Sequence, residues 1–328
     1  MSRLGPVLAV AGLVLAAVLF AREDIGGIAA LLLASGPGLV VAGLFHVVPM
    51  AANARAWQVL LPRARPGIIV MTWAIWIRES VNGLLPVARV GGEIVAYRLL
   101  RRRVGSRPDL AASLIADMGL SMLSQAGFAL LGLGFLMRIG HSSAAITDLL
   151  VATGCMIALG IAFIFAQRGG VLSAMTRLTD PLLKGRFGSA SAGSERLDAA
   201  LAALYQRRRE VMACFAWQLG GWMLGAGEIG LALHFLGRSP SVFDALVIEA
   251  LIQAISSAAF VVPGALGVQE GGFVLIGAAL GIDGTTGLAL AAARRLRDLV
   301  IFFPGLIAWQ WDETRTRKLK LHRAGHAR

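Results

Sequence analysis

Long apolar runs separated by short polar segments make up most of the chain. Six runs are continuous enough to predict a full membrane-spanning helix, which takes about 20 residues. They lie at 4–20, 28–50, 110–137, 145–166, 211–236 and 287–309. Two more apolar regions, 68–100 and 244–281, are interrupted near the middle by glycine and proline. The pattern predicts an all-α integral membrane protein with about six full spans and two broken helical hairpins.

The composition supports one polytopic membrane domain over residues 1–328. The chain is 57% hydrophobic and 15% charged, with a mean hydropathy of +0.72, and so few polar residues would not cover a water-soluble domain. We interpret the first run as a retained anchor, because no small-x-small cleavage site follows it. No segment is long enough to form a separate soluble catalytic domain, so we expect a protein that is not an enzyme.

The basic residues predict a topology. Together, 22 Lys and Arg residues lie in four polar segments, at 53–67, 97–109, 167–210 and the tail 312–328. The remaining connections contain three. Because positive charge concentrates on the cytoplasmic side, both termini are predicted in the cytoplasm of a bacterial inner membrane. Region 68–100 would then enter from the cytoplasm and return to it, and region 244–281 would enter from outside. Two pairs of full spans would satisfy the same charge count.

The two broken regions share a motif. A proline is followed seven positions later by a glutamate in both, Pro86 to Glu93 and Pro263 to Glu270. Each motif lies between two predicted spans, and by charge the halves 28–137 and 211–309 run in opposite directions. Interrupted helices at corresponding places in an inverted repeat indicate the binding site of a transporter.

The residue types of the motif suit a helix that breaks inside a membrane. Proline interrupts the helix, and glycine allows a tight turn and a close approach of neighbouring backbone. Each glutamate either caps the returning half-helix or takes part in binding and gating. The candidate substrate-binding or gating residues at the breaks are Pro86, Arg89, Gly91, Gly92, Glu93, Pro263, Gly264, Gly267 and Glu270.

Charged residues inside the predicted spans form a second group of candidates. Arg294, Arg297 and Asp298 lie in the last span, and we include them with the binding residues because one acid would not neutralise the local arginines. An ionised group at mid-bilayer costs about 2.5–3.5 kcal/mol, so each needs a partner. Internal ion pairs that lock the bundle are the other interpretation. The candidate charge partners are Arg78, Glu79, Asp117 and Glu228.

Other partners and cofactors follow from composition. The net charge of +12 is better explained by an anionic lipid surface at the cytoplasmic face than by nucleic acid.

The stretch 194–210 of the linker 167–210 predicts either an interfacial helix or a solvated connector. Trp57 and four further tryptophans are predicted to anchor the chain at the interfaces. Cys155 and Cys214 fit small core positions, and neither a metal motif nor a nucleotide motif indicates a cofactor.

Several stretches resemble a known family. "NARAW" at 53–57, "LLPVARVGGE" at 84–93, "PGALGVQEGG" at 263–272 and the arginine-rich last span are similar to the flippase-like family related to the membrane region of lysylphosphatidylglycerol synthases. The stretch 78–103 most resembles its hopanoid-biosynthesis-associated branch, the HpnL type. Members more often have Arg or Lys where this chain has Gln269, and the lysyl-transferring members carry a soluble synthase domain after the membrane part.

The resemblance implies a protein that moves a polar-headed or hopanoid-related lipid between leaflets. Two alternatives stay open at this point. The chain could be a non-transporting scaffold for lipid-biosynthesis enzymes, or a membrane-embedded lipid transferase.

The topology predicts where single cysteines react. At positions 141 and 284, in a variant whose Cys155 and Cys214 are replaced by serine, a membrane-impermeant maleimide should label the chain from outside, because these positions lie in the predicted outer connections 138–147 and 282–286. Labelling of either position from the cytoplasmic side only would contradict the inverted arrangement.

Overall fold

The computed structural model describes residues 4–62, 65–85, 91–138, 188–259 and 262–325, together with Gly154, Ala158, Ala162 and Phe165. Every regular element in these residues is a helix, as predicted. Pro86, Arg89, Cys155 and nearly all of the predicted span 145–166 lie outside the described residues.

The described helices are numbered in chain order. Those of the first part are α1 (Leu4–Arg22), α2 (Ile25–Ser35), α3 (Gly38–Leu44), α4 (Val47–Leu60), α5 (Ile68–Leu84), α6 (Gly91–Leu100) and α7 (Arg107–Arg138). Those of the second part are α8 (Gly188–Gln206), α9 (Arg208–Phe235), α10 (Val242–Ala258), α11 (Val268–Ala279), α12 (Gly284–Arg297) and α13 (Phe303–Gly325), with a π-helix at Asp298–Phe302 between the last two.

The predicted span 28–50 is not one helix, which corrects the sequence-based boundary. Gly36 has φ 50° and Pro37 forms the N-cap of α3, so the chain turns after α2. A slight irregularity at Phe45 and His46 separates α3 from α4, but both residues keep right-handed helical backbone, so Gly38–Leu60 runs as one stretch of 23 residues. The helix then continues to Leu60, well into the segment assigned to a cytoplasmic loop.

Trp57 is also placed differently from the prediction. It is completely buried in α4, and its indole N–H donates to Ser113 Oγ at 3.1 Å. The indole nitrogen has a partner inside the bundle and does not need the lipid interface. The interpretation of Trp57 as an interfacial anchor is therefore wrong.

Both interrupted regions fold as helix–break–helix hairpins. Helix α5 packs against α6, and α10 packs against α11. The second break contains a 3-10 turn at Pro263–Ala265, and Gly264 and Gly267 have φ of 63° and 75°. Glycine tolerates this left-handed backbone, which explains the glycines of the motif.

Each hairpin packs against helices of both predicted halves. Helix α5 contacts α4 of its own half and, from the other half, the π-helix and α13. Helix α10 contacts α9 of its own half and α7 of the other half. Among the described residues, Gly38–Leu60 and Arg107–Arg138 are long and apolar enough to cross a membrane. Six spans and the inverted repeat remain predictions.

The N-terminal helix α1 covers the turn of the second hairpin. A Cβ added to Gly12 would lie 2.6 Å from Leu266 O, and one added to Gly267 would lie 2.5 Å from Gly12 O. Only glycine at both positions allows the two backbones to approach so closely.

Helix α8 lies against protein. Its buried side chains Leu201, Leu204 and Tyr205 share a cluster with Ala112 and Ala116 of α7. Helices α7 and α9 contact its apolar face, and its position at the membrane surface stays a prediction.

The first hairpin gives a stability prediction. A Cβ on Gly92 would lie 2.2 Å from Arg78 O and 2.7 Å from Asn82 Cγ. Backbone cannot yield as a flexible side chain does, so Gly92→Ala should destabilise the protein by about 1–3 kcal/mol. Thermal unfolding in detergent measures it. Gly134→Ala is the matched control, because no atom lies within 4 Å of that Cβ and alanine favours a helix. Equal unfolding midpoints for the two variants would contradict the close packing.

Candidate functional site

The candidate site is a network of charged side chains where several helices meet. His46 lies between α3 and α4, and Glu79, Glu228, Glu249 and Glu270 come from α5, α9, α10 and α11. The last turn of α12 contributes Arg294, Arg295 and Arg297, and the π-helix begins with Asp298. Short π segments inside α-helices occur frequently at functional sites.

The spacing in α12 distributes its arginines over two faces. Arg294 and Arg297 are three residues apart and share one face, whereas Arg295 points elsewhere. Arg294 and Arg297 are 5% and 7% exposed. They face α9 and α10, and Arg295 faces the break of the second hairpin.

The buried arginines are held by carboxylates of neighbouring helices. Arg294 donates to Glu249, and its Nε lies 3.9 Å from Glu228 Oε1. Arg297 Nη1 lies 3.2 Å from Glu228 Oε2, and Arg297 Nη2 lies 2.8 Å from Asp298 Oδ1. Charges buried away from water require such partners. The expectation that the arginines lack enough acids for neutralisation is wrong, because α9, α10 and α11 each supply one.

His46 extends the network to the first hairpin. Its Nδ1 lies 2.8 Å from Glu228 Oε2, and its Nε2 lies 3.4 Å from Glu79 Oε2. Arg297 Nη1 lies 2.8 Å from the same Nδ1. The imidazole therefore contacts a carboxylate from α5 and a carboxylate from α9.

At the second break, Glu270 is 4% exposed and accepts hydrogen bonds from Arg295 through Oε1, at 3.0 Å from Nε and 2.8 Å from Nη2. Arg295 Nη1 also donates to Gly264 O at 2.9 Å, which satisfies a carbonyl freed by the broken helix. Glu270 Oε2 is buried without a hydrogen-bond partner among the described residues. Gln269 donates to Ser256 Oγ at 2.8 Å and so ties α11 to α10.

At the first break, Asn82 caps the start of α6, a role that the sequence suggests for Glu93. Asn82 Oδ1 accepts from the Gly92 N–H at 2.8 Å, and Asn82 Nδ2 donates to both oxygens of Glu93 at 3.2 and 3.0 Å. In the described part of the chain, Glu93 and Glu270 bind side chains and accept no hydrogen bond from a backbone N–H.

A separate polar cluster ties α5, α7 and α9 together. Arg78 Nη1 donates to Asp117 Oδ2 at 2.9 Å, and Gln218 Nε2 donates to Asp117 Oδ1 at 2.7 Å. The Arg78 guanidinium also lies over the Trp57 ring at 5.7 Å. Asp117 thus has the locking ion pair that was one interpretation of its position. Cys214 is buried and adjoins Asp117.

The structure brings six of the sixteen predicted site residues into one network. Glu79, Glu228, Glu270, Arg294, Arg297 and Asp298 join one network, whereas Arg78 with Asp117 and Glu93 with Asn82 form separate clusters. The candidate residues predicted from the sequence did not include His46, Glu249, Arg295 and Asn82. The rule that marks intramembrane charges would also have selected Glu249, in the apolar run "ALVIEALIQ", and His46, in "GLFHVVPM".

A cavity of about 420 Å³ lies away from this network, between the end of α4 and the start of α9. Arg65, Arg207, Arg209 and Glu210 line it. Arg207 Nη1 donates to Leu60 O at 3.0 Å, and Arg207 Nη2 lies 3.4 Å from Glu210 Oε1. The cavity therefore opens among basic side chains of the segments predicted to be cytoplasmic.

Comparison with known proteins places the chain in a family. The model of the lysylphosphatidylglycerol synthase TM region matches residues 4–305, which is nearly the whole chain. Neither the curated proteins nor the solved structures give a match. The hopanoid-associated subtype remains a prediction. The chain belongs to the family of the lysylphosphatidylglycerol synthase TM region and is a membrane protein of lipid metabolism or translocation.

Proposed function

We propose that the protein is a lipid translocator of a bacterial inner membrane, which moves a polar-headed or hopanoid-related lipid between the leaflets by alternating access. The observation that carries the proposal is the continuous line of polar contacts between the two broken hairpins. It runs from Glu79 of the first hairpin through His46, Glu228 and Arg294 to Glu249 of the second.

This network suits a structure with two arrangements. Arg297 contacts Glu228, His46 and Asp298 at once. When one hairpin moves relative to the other, a guanidinium with several acceptors exchanges partners and keeps its charge compensated. A movement that left Arg297 unpaired would cost several kcal/mol. Shared partners therefore lower the barrier between inward-open and outward-open arrangements.

The break of the second hairpin is the part of the network best suited to meet a lipid head group. The Arg295 side chain is 28% exposed, compared with 4% for Arg294. Glu270 Oε2, buried beside it, has an unused acceptor. Arg294 and Arg297 are enclosed by carboxylates, so they act on the head group by positioning Glu228 and His46. In this proposal Glu93 holds the first hairpin through Asn82.

A scaffold for lipid-biosynthesis enzymes is the second candidate, and the arginine-lined cavity is the observation that favours it. Arg65 and Arg209 present exposed cations beside the cavity, where an anionic lipid or an acidic partner would bind. A scaffold requires this surface and the basic tail 312–328, whereas transport requires the hairpin breaks. A lipid transferase would instead need a reacting group, and the buried acids are already engaged with arginines.

Leaflet exchange of fluorescent lipids in liposomes tests the proposal. The wild-type protein should exchange lipid faster than empty vesicles. Glu270→Gln should slow exchange by about tenfold or more, because losing one charged hydrogen-bond partner costs about 1.5–3 kcal/mol. Glu210→Gln is the matched control, because the Glu210 side chain is 41% exposed and far from the breaks; it should exchange at the wild-type rate.

Equal exchange by the wild type, Glu270→Gln and empty vesicles would contradict transport. Removal of residues 316–328 separates the two candidates further. Transport predicts unchanged exchange after truncation, whereas a scaffold predicts that the truncated chain loses its partners and that Glu270→Gln retains them.

The pair at the second break gives a further prediction. Arg295→Met should slow exchange as Glu270→Gln does, since it leaves Glu270 and the Gly264 carbonyl without a donor. The double variant Glu270→Gln/Arg295→Met should be no slower than the slower single variant, because residues that act as one unit are not additive. Additive losses measured in the same vesicles would contradict a functional pair.

A further inference from the structure

His46 lies at the junction of the two predicted halves. His46 and Glu79 belong to the first half, and Glu228 and Arg297 belong to the second. The ring is the link in the line of contacts from α5 to α9, because each of its nitrogens faces a carboxylate of a different half. Phe302 closes one side of the ring with an edge contact at 5.7 Å between centroids.

The neighbours of the ring fit both of its charge states. Glu228 Oε2, at 2.8 Å, needs a hydrogen on Nδ1, because an ionised carboxylate only accepts. Arg297 Nη1 lies 2.8 Å from Nδ1 and 3.3 Å from Nε2, and it needs a free lone pair on one of them, because a guanidinium only donates. The charged ring donates to Glu228 and Glu79 and offers no lone pair to Arg297, whereas the neutral ring accepts from Arg297 through one nitrogen.

The states differ in how they connect the halves. The imidazolium donates from Nδ1 to Glu228 and from Nε2 to Glu79, and so links both carboxylates. A neutral ring has one N–H. It either retains Glu79 and accepts from Arg297, or retains Glu228 and releases Glu79. Loss of one proton therefore removes one of the two links between the halves.

The charges around the ring favour proton uptake. Glu79 faces it from α5, Glu228 from α9 and Arg297 from α12. Behind these groups lies Glu249 with Arg294. Asp298 contacts Arg297 and, at 3.9 Å, Arg295, which also pairs with Glu270. Five carboxylates thus share three guanidinium groups. The surplus of negative charge stabilises an added positive charge on the ring.

We propose that His46 is a proton-binding site and that the bound proton joins the two halves of the protein. This inference rests on the proposed lipid transport, in which the proton is the coupling ion. Its binding closes the link between α5 and α9, and its release frees the first hairpin to move. No covalent step is involved, and one proton is taken up and released in each cycle.

Titration of the histidine ring nitrogens tests the site without a transport assay. In wild-type protein in lipid nanodiscs, ¹⁵N NMR should show a ring that gains a proton with a midpoint between about pH 5 and pH 8. His46→Gln identifies the signal by its loss. Glu79→Gln should move the midpoint to lower pH by about one unit, because it removes one carboxylate that stabilises the imidazolium.

His234→Gln is the control, because His234 is an exposed histidine at the end of α9; it should leave the His46 midpoint unchanged. A His46 ring that keeps one protonation state from pH 5 to pH 8 would overturn the proposal. The same follows from a midpoint that Glu79→Gln leaves unchanged.

The pH dependence of leaflet exchange tests the coupling. Wild type and His234→Gln should change rate severalfold around the midpoint found by NMR, and His46→Gln should lose this dependence, whatever its absolute rate. Exchange that is independent of pH in the wild type would overturn the coupling. A normal titration in a protein that exchanges no lipid would support the proton site and contradict the lipid transport instead.

Discussion

Burial of charge is the constraint on which the rest of the structure depends. An ion without a partner in a bilayer or a protein interior is costly, so each buried guanidinium must meet a carboxylate that arrives on another helix. Arg294 meets Glu249 of α10 and Glu228 of α9. These pairings fix how α12 lies against both helices more specifically than contacts between apolar side chains, which are tolerant of sliding.

The polar groups divide into a rigid part and an exchangeable part. Asp117 uses its two oxygens for Arg78 and Gln218, and Arg78 is further held over Trp57, so α5, α7 and α9 are locked together there. One residue along α5, Glu79 faces His46 instead. Two neighbouring residues of α5 thus have different roles. Arg78 belongs to the cluster that locks three helices together, and Glu79 belongs to the network whose members share partners. The proposed transport would use both kinds of contact, because a site without support loses its geometry.

The sequence predicted much of this arrangement. Apolar runs and the positions of Gly and Pro predicted an all-helical membrane protein, and the two interrupted hairpins are present, because helix breaks depend on local backbone chemistry. The partners of the charges could not be predicted. Glu249 and Arg294 are distant in sequence, and only tertiary packing brings them together. The same applies to Trp57, whose burial depends on Ser113 of α7.

The contact between Gly12 and Gly267 bears on how the protein is made. Helix α1 is synthesised before the turn on which it packs, because Gly12 precedes Gly267 in the chain. The glycine face of α1 therefore stays uncovered until the second hairpin has been synthesised. Docking of α1 on this turn is then a late step of folding, and it closes a contact between segments that are far apart in sequence.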